Sequence, residues 1–362
     1  MSSLKPRRGI LDISAYVTAV STAPKADKIF KLSANESAFG ASPKAVAAFE
    51  EASRSLAAYP DGTVQALREK IGDVHGLNPA QIICGAGSDE LLQLIAHAYS
   101  GLGTNTVQTV HGFSMYPIVS RAAGAEPRLA PEKDLRVDID AILEHVDADT
   151  RIVFLASPGN PTGAYIPEKT LRRLREDLRE DILLVLDAAY AEFVNAPDYS
   201  DGAALVDDYG NVVMTRTFSK IYGLAAVRLG WAYCPPDVID ALNRIRGPYN
   251  VNNAAQAAGI AALEDRDFIQ TAQVYNGRER DWLAQQIGGL GLEFVPSEAN
   301  FLLIRFPDTP GKTAAEIYDY LRERGVIVRR MDAYHLPEYL RVSIGEKEGL
   351  ELFVALLREK LG

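Results

Sequence analysis

Short apolar runs rich in β-branched residues alternate with longer segments of helical periodicity up to about residue 248. Several runs are hydrophobic at consecutive positions, which is typical of strands that helices cover on both faces. Helical patterns such as SDELLQLIAHAYSGL and PEKTLRRLREDLRE lie between them. The predicted strands are QIICGAG, NTVQTVH, AEPRLA, RIVFLAS, DILLVLD, NVVMTRT and LGWAYC. This alternation predicts an α/β fold with a large, mostly parallel seven-stranded sheet.

The rhythm changes in the last third of the chain. A long helical stretch follows at 254–288, and shorter strand and helix patterns then alternate to the C-terminus. We expect an N-terminal arm at 1–31 that belongs partly to the smaller domain, a large domain at 32–248 and a small α+β domain at 249–362. The sequence has no internal repeat and no low-complexity linker.

Composition and charge narrow the classes of function. The 362 residues are 47% hydrophobic and carry a net charge of −10, whereas nucleic-acid and membrane-surface binding need a basic face. No apolar run has the length of a signal peptide or of a transmembrane helix, which needs about 18 residues. The two cysteines lack metal-binding spacing. We therefore expect a cytoplasmic enzyme or binding protein that binds neither nucleic acid nor membrane and holds no metal.

Polar residues follow four of the predicted strands. In GAGSDELL a strand ends in glycines, and Ser88 and Asp89 stand where a helix N-cap belongs. Free amide groups at a helix N-terminus bind phosphate, although a capped turn without a ligand has the same pattern. The stretch matches neither the dinucleotide-binding nor the P-loop motif. SPGNPTGAYIP carries Asn160 to the carboxyl edge of the sheet, where open α/β sheets bind ligands.

The other two stretches add an acid and a lysine. LLVLDAAYAEF ends a buried strand at Asp187, three residues before Tyr190. A buried carboxylate is costly without a partner, but an aspartate here could also cap a helix. TRTFSKIYGLAAVRLG places Lys220 on a turn, where a single lysine is more often a solvated charge. The neighbours of that lysine that carry hydroxyl or guanidinium groups are Thr217, Ser219 and Arg228.

Each stretch is ambiguous alone, but the set is not. Pyridoxal 5'-phosphate needs a lysine for its aldehyde, an acid for its ring nitrogen and anion-binding groups for its phosphate. With SPGNPTG, LDAAYAEF and TRTFSKIYGLAAVRLGW in this order, the chain closely resembles the fold-type I pyridoxal-phosphate-dependent aminotransferases over nearly its whole length. It is most similar to the histidinol-phosphate aminotransferases, through KLSANESAFGASPKA, YPDGTVQALREKIG, GAGSDELL, PYNVNNAAQAA and YLRVSIG.

The resemblance implies roles for particular residues. Lys220 would carry the cofactor aldehyde as a Schiff base and move the substrate proton, and Asp187 would keep the ring nitrogen protonated. Tyr190 and Asn160 would bind the ring oxygen. The other implied cofactor contacts are Gly87, Ser88, Asp89, Thr217, Ser219 and Arg228 at the phosphate, Phe113 on the ring, and Tyr59 on the phosphate of the neighbouring subunit. The implied substrate contacts are Tyr16, Asn160, Arg329 and Arg341.

The resemblance also implies an activity and an assembly. The activity is transfer of an amino group between L-histidinol phosphate and 2-oxoglutarate, in histidine biosynthesis, by a homodimer with shared active sites. An arginine cluster can bind phosphate in one half-reaction and carboxylate in the other. Three alternatives stay open: an aromatic amino-acid aminotransferase, a threonine-phosphate decarboxylase, and a non-enzymatic cofactor-sensing regulator. The regulator predicts a basic DNA-binding segment and a lost lysine, and the sequence has neither feature.

Overall fold

The structure is a computed structural model that describes residues 4–15 and 28–362. Tyr16 and part of the arm expected at 1–31 lie outside the described residues. The strands are, in chain order, β1 (Phe30–Lys31), β2 (Ile82–Gly85), β3 (Asn105–Thr109), β4 (Glu126–Ala130), β5 (Thr150–Ala156), β6 (Leu183–Asp187), β7 (Val212–Thr217), β8 (Gly230–Tyr233), β9 (Glu293–Val295), β10 (Phe301–Arg305), β11 (Val326–Ile327), β12 (Arg329–Arg330) and β13 (Tyr339–Ser343).

The helices surround these strands. In chain order they are α1 (Pro43–Ala52), α2 (Gln65–His75), α3 (Ser88–Tyr99), α4 (Met115–Ala123), α5 (Ile139–Glu144), α6 (Glu168–Asp177), α7 (Ala203–Asp208), α8 (Pro236–Ile245), α9 (Asn253–Glu264), α10 (Arg266–Gly289), α11 (Ala314–Glu323) and α12 (Lys347–Leu361). None of the helices in the described ranges is long and apolar enough to cross a membrane.

Seven strands form the large sheet in the spatial order β2-β8-β7-β6-β5-β3-β4. β8 runs antiparallel to β7 and to β2, and the pairs from β7 to β4 are parallel. Each of the seven apolar runs singled out in the sequence forms one of these strands. The predicted α/β fold with a mostly parallel seven-stranded sheet is therefore confirmed.

Strand β5 shows why the predicted strands are hydrophobic at consecutive positions. Val153 and Leu155 enter a buried cluster that α2, α6 and α9 share, whereas Ile152 and Phe154 enter the cluster of α3, α4 and α8. All four side chains are nearly inaccessible to solvent. Because successive side chains of a strand point to opposite faces, an unbroken apolar run is what a strand covered on both faces requires.

The C-terminal part forms a second, smaller unit. Its antiparallel sheet has the order β12-β13-β10-β9, and β1 pairs in parallel with β11 beside it. The hydrophobic clusters divide within α10, because Ala272 packs with the large sheet and Leu283 packs with the small one. Ala255 and Ala258 of α9 also pack with the large sheet. We therefore propose that the domain boundary lies inside α10 rather than at residue 248.

Candidate active site

A cavity of about 320 Å³ opens at the carboxyl edge of the large sheet and extends to the small sheet. The ends of β5, β6 and β7, the start of α3, and strands β12 and β13 contribute side chains to it. Twelve of the residues predicted from the sequence line it: Ser88, Asp89, Phe113, Asn160, Asp187, Tyr190, Thr217, Ser219, Lys220, Arg228, Arg329 and Arg341. Elements far apart in the chain thus converge on one site.

The N-terminus of α3 forms one corner of the cavity. Gly87 is the N-cap, with φ of 87°, and Ser88 is the first helical residue, so the expectation that Ser88 and Asp89 cap the helix was wrong. A Cβ atom on Gly87 would lie 2.5 Å from Nη2 of Arg228, so the guanidinium would have to shift. Glycine is favoured here for its left-handed backbone, and it also leaves room for the guanidinium.

Hydroxyl groups and a cation complete this corner. Arg228 Nη1 donates to Ser219 Oγ at 3.2 Å, and Nη2 donates to Asp89 Oδ2 at 3.3 Å. The amide of Ser219 donates to Thr217 Oγ1 at 3.1 Å, which holds the turn after β7 in shape. Helix amides, hydroxyls and a guanidinium together make a site for a phosphate-sized anion.

Asp187 closes the buried end of the cavity. It is the last residue of β6 and is 5% exposed. Tyr116 donates its hydroxyl proton to Oδ2 at 3.0 Å, and Thr215 donates to Oδ1 at 3.3 Å. Burial raises the pKa of this carboxyl to about 6, against the effect of the two hydroxyl donors. No cation pairs with Asp187 within residues 4–15 and 28–362, so the acid is ready to receive a cationic group of a ligand.

Lys220 faces the same cavity from the turn after β7. Its Nζ donates to the carbonyl of Ala34 at 3.5 Å and lies 5.7 Å from the centre of the Tyr190 ring. Burial is the main cause that lowers the pKa of Lys220 to about 8, and the positive charge of Arg341 adds to it. A substantial fraction of this amine is therefore neutral, and nucleophilic, near neutral pH.

Asn35 is a residue that the sequence analysis missed. It is 1% exposed and adopts φ of 56°, and its Nδ2 donates to the hydroxyl of Tyr190 at 3.0 Å. Its own Oδ1 accepts from Ser343 Oγ at 2.9 Å. Because the Tyr190 hydroxyl accepts from Asn35, its proton points elsewhere and can be donated into the cavity. The non-glycine φ above zero is visible only in the structure, although Asn is a residue type that tolerates it.

The small sheet supplies two arginines. Arg341 is 6% exposed; Nη2 donates to the carbonyl of Ser33 at 2.8 Å and Nη1 donates to Oδ1 of Asn160. Arg329 stands opposite Arg341 in the antiparallel register. Asn160 is thus tied to Arg341 across the gap between the large and the small sheet. Two guanidinium groups at one wall provide a site for a carboxylate or a second phosphate.

Two aromatic predictions fall at different places. Phe113 lines the cavity and packs edge-on against Tyr116, with ring centres 5.7 Å apart. Tyr59 is 82% exposed and stacks on Tyr249 at 4.6 Å, outside the cavity wall. The single chain therefore does not bring Tyr59 to the site. Among the described residues, no group of three or more His, Cys, Asp or Glu could hold a metal ion.

Comparison with known proteins agrees with this geometry. The family model "Aminotransferase class I and II" matches residues 27–357. A histidinol-phosphate aminotransferase of Maricaulis maris is 52% identical over 98% of both chains, and one of Rhodopseudomonas palustris is 48% identical over 99% of both. The crystal structure of a histidinol-phosphate aminotransferase from Sinorhizobium meliloti in complex with pyridoxal-5'-phosphate superposes with a TM-score of 0.89, at 27% identity, covering 99% of this chain and 98% of that one. The chain therefore belongs to the class I and II aminotransferases, and within that family it is related to the histidinol-phosphate aminotransferases.

Proposed function

We propose that the chain is a pyridoxal-phosphate-dependent enzyme that transfers the amino group between L-histidinol phosphate and 2-oxoglutarate, a step of histidine biosynthesis. The observation that carries the proposal is the arrangement of one cavity. It is lined by a lysine with a lowered pKa, a buried acid and two arginines. The chain is 52% and 48% identical to two histidinol-phosphate aminotransferases over nearly its full length, which supports histidinol phosphate as the substrate.

The residues of the cavity fit the cofactor. A buried carboxylate with two hydroxyl donors and no cationic partner in the described chain suits a protonated ring nitrogen. The space left free by Gly87 and the amides of α3 suit a phosphate. When bound, pyridoxal phosphate supplies an aldehyde and a protonated ring that withdraws electrons from the substrate Cα.

The large domain would hold the cofactor through four groups of contacts. Asp187 would accept a hydrogen bond from the protonated ring nitrogen, and Phe113 would cover one face of the ring. Tyr190 would donate its hydroxyl proton to the ring oxygen, because that hydroxyl already accepts a hydrogen bond from Asn35. The phosphate contacts proposed are the backbone at Gly87, Ser88 and Asp89 together with the side chains of Thr217, Ser219 and Arg228. Charge-assisted bonds of this kind are about twice as strong as neutral ones.

Lys220 performs the proton chemistry. In its neutral form the Nζ atom would hold the cofactor through its aldehyde, with loss of water. As a free amine, the same atom would take the proton from the substrate Cα and deliver it to another carbon. The pKa of about 8 suits both tasks, because an effective general base has a pKa near the working pH.

The arginines of the small sheet would recognise the anionic end of each substrate. Histidinol phosphate brings a phosphate, whereas 2-oxoglutarate and glutamate bring a carboxylate, and a guanidinium binds either in a bidentate manner. Arg341 is held by Ser33 and Asn160 in a fixed direction, which favours one location for the anion. Tyr16, a further expected substrate contact, stays a prediction.

We propose that the chain works as a homodimer. Tyr59 and Tyr249 stack on each other with exposed fractions of 82% and 46%. Leu56, three residues before Tyr59, is 83% exposed, so this segment presents an apolar surface to solvent. Burial of this surface against a second copy would bring Tyr59 toward the phosphate of the partner site. Sedimentation of the wild type and of Leu56→Glu tests this, because the charge should shift the mass toward the monomer. The cytoplasmic location is a further prediction.

The activity is tested by product formation. Purified protein loaded with pyridoxal phosphate should form glutamate only when histidinol phosphate and 2-oxoglutarate are both present. Release of carbon dioxide from threonine phosphate would instead indicate a decarboxylase. A solved threonine-phosphate decarboxylase shares this fold at a TM-score of 0.78, but its 22% identity supports the fold alone. Absence of glutamate from cofactor-loaded protein would contradict the proposal.

A further inference from the structure

Tyr116 contacts the acid of the site without lining the cavity itself. It lies in the first turn of α4, and its hydroxyl donates to Asp187 Oδ2 at 3.0 Å. Thr215, one strand away on β7, donates to the other oxygen at 3.3 Å. Each carboxylate oxygen therefore has one hydroxyl donor, and the plane of the carboxylate is fixed from both sides.

Packing holds the Tyr116 ring in place. The side chain is 1% exposed and lies parallel to Phe154 of β5, with ring centres 5.1 Å apart and planes 8° apart. Its edge meets the ring of Phe113 at 88°. Tyr116 therefore touches both the acid proposed for the ring nitrogen and the ring proposed to cover the cofactor. Aromatic side chains with only two rotatable bonds lose little freedom in such a role.

We propose that Tyr116 is a positioning residue, whose hydroxyl orients the Asp187 carboxylate and keeps it ionised toward the cofactor ring nitrogen. The inference rests on the proposed role of Asp187. It concerns a residue outside the cavity lining, whose hydroxyl acts through Asp187.

The surroundings of Asp187 explain why it needs such a donor. Burial favours the protonated acid, and the negative charge of Asp89 on α3 adds to this effect. The hydroxyls of Tyr116 and Thr215 act in the opposite direction, because they bond to the ionised form. The other titratable groups that interact with the carboxyl are the phenols of Tyr190 and Tyr199. Burial raises the pKa of Tyr116 well above its usual range, so its proton stays available for donation.

The first test replaces the hydroxyl by Tyr116→Phe, which keeps both ring contacts. The matched control is Tyr233→Phe, since Tyr233 of β8 is 2% exposed and donates to the carboxylate of Asp207 in α7 at 2.6 Å. In the full-length chain freed of cofactor, the carboxyl pKa of Asp187 is followed by carbon-13 NMR. We expect Tyr116→Phe to raise this pKa by roughly 1 and to weaken pyridoxal phosphate binding roughly fivefold at pH 6, because the ionised fraction of Asp187 falls at that pH.

The control should change the melting temperature but neither of these quantities. An unchanged Asp187 pKa and cofactor affinity in Tyr116→Phe would overturn the inference and leave Tyr116 a purely structural residue. If that variant does not fold, site-specific 3-fluorotyrosine at position 116 provides a more acidic donor. It should lower the Asp187 pKa, and no change would overturn the inference equally.

Asp187→Asn separates this inference from the proposed function. If it loses cofactor affinity while Tyr116→Phe does not, only the inference fails. If Asp187→Asn keeps full affinity, the role proposed for Asp187 is wrong and the inference fails with it.

Discussion

Arg329 and Arg341 stand directly opposite each other on two antiparallel strands, and both side chains line the cavity. Like charges in such a pair destabilise a sheet by a few tenths of a kcal/mol to about 1 kcal/mol. Two guanidinium groups at one wall of the cavity are consistent with a site for an anion.

Arg329→Gln should weaken the binding of histidinol phosphate without harming the fold. We expect the KM to rise roughly 10- to 100-fold, because a charge-assisted bond to phosphate is lost. The melting temperature should change much less than the KM, because the substitution keeps the fold of the small sheet. Steady-state kinetics and thermal unfolding measure the two effects.

Arg330→Gln is the matched control. Arg330 follows Arg329 on the same strand, so it faces the opposite side, where its Nε donates to Asp332 Oδ2 at 2.8 Å. The KM of Arg330→Gln for histidinol phosphate should equal that of the wild type. Equal losses in both variants would show that the general charge of the strand matters, and not the position of Arg329.

Arg341→Ala should impair both half-reactions. Arg341 is the guanidinium that bridges Ser33 and Asn160, so its loss removes an anion contact and frees Asn160 as well. Single-turnover rates with histidinol phosphate and with glutamate should both fall by at least about 100-fold, the cost of a misplaced substrate. If only one of the two rates falls, the two substrates do not share this arginine.

Lys220→Ala should separate binding from chemistry. The contacts proposed for the ring and phosphate remain, so the variant should still bind pyridoxal phosphate. Turnover should fall by several orders of magnitude, because the nucleophile and general base are the same amine. Equilibrium dialysis and glutamate formation measure the two properties. Transamination at a rate near that of the wild type would exclude the role given to Lys220.

Uptake of the cofactor should depend on pH through the same lysine. Only the neutral amine attacks an aldehyde, and the pKa of Lys220 is lowered to about 8, chiefly by burial. The rate at which cofactor-free protein captures pyridoxal phosphate should therefore rise with pH, with a midpoint near 8. A midpoint above 10 would mean that Lys220 is solvated like an ordinary lysine.

The raised pKa of Asp187 predicts that the free energy of unfolding depends on pH. Its folded pKa is raised from 3.8 to about 6, so the folded state binds the proton more tightly than the unfolded state. This contribution is fully present below about pH 4 and is lost as the pH rises through 6. A tenfold difference in proton affinity between the two states corresponds to about 1.4 kcal/mol, so the loss reaches roughly 3 kcal/mol.

Asp187→Asn should lack this dependence. Between pH 4 and pH 7, cofactor-free Asp187→Asn should gain about 3 kcal/mol in unfolding free energy relative to the wild type. Denaturant unfolding at the two pH values measures the difference. Parallel stability curves for the two proteins would show that Asp187 titrates as a solvated acid.

The sequence predicts the sheet and the wall of the cavity because both depend on local patterns. Apolar runs such as that of β5 identify buried strands, and chemistry-bearing residues follow their ends, as Asp187 follows β6. The contacts of Asn35 and Tyr116 could not be predicted in this way. They join segments more than 70 residues apart in the sequence. The local sequence around an asparagine or tyrosine does not indicate which distant residue it will bind.

The prediction that Ser88 and Asp89 cap α3 failed for a related reason. Ser88 and Asp89 are good capping residues, yet Gly87 takes the position, with a left-handed φ of 87° and with Arg228 from a distant turn packed against it. The domain boundary that we propose inside α10 illustrates the same limit. The helical pattern at 254–288 is continuous in its hydrophobicity, and only tertiary packing shows that its two halves serve different sheets.

The most direct test of the central claim is a single-turnover absorbance measurement on the cofactor-loaded protein. It is mixed separately with histidinol phosphate, glutamate, phenylalanine, tyrosine and threonine phosphate, and the conversion of the cofactor from its aldehyde to its amine form is followed. We predict fast conversion by histidinol phosphate and glutamate, and slow conversion by the two aromatic amino acids. Faster conversion by phenylalanine or tyrosine would keep the cofactor site but contradict histidinol phosphate as the substrate.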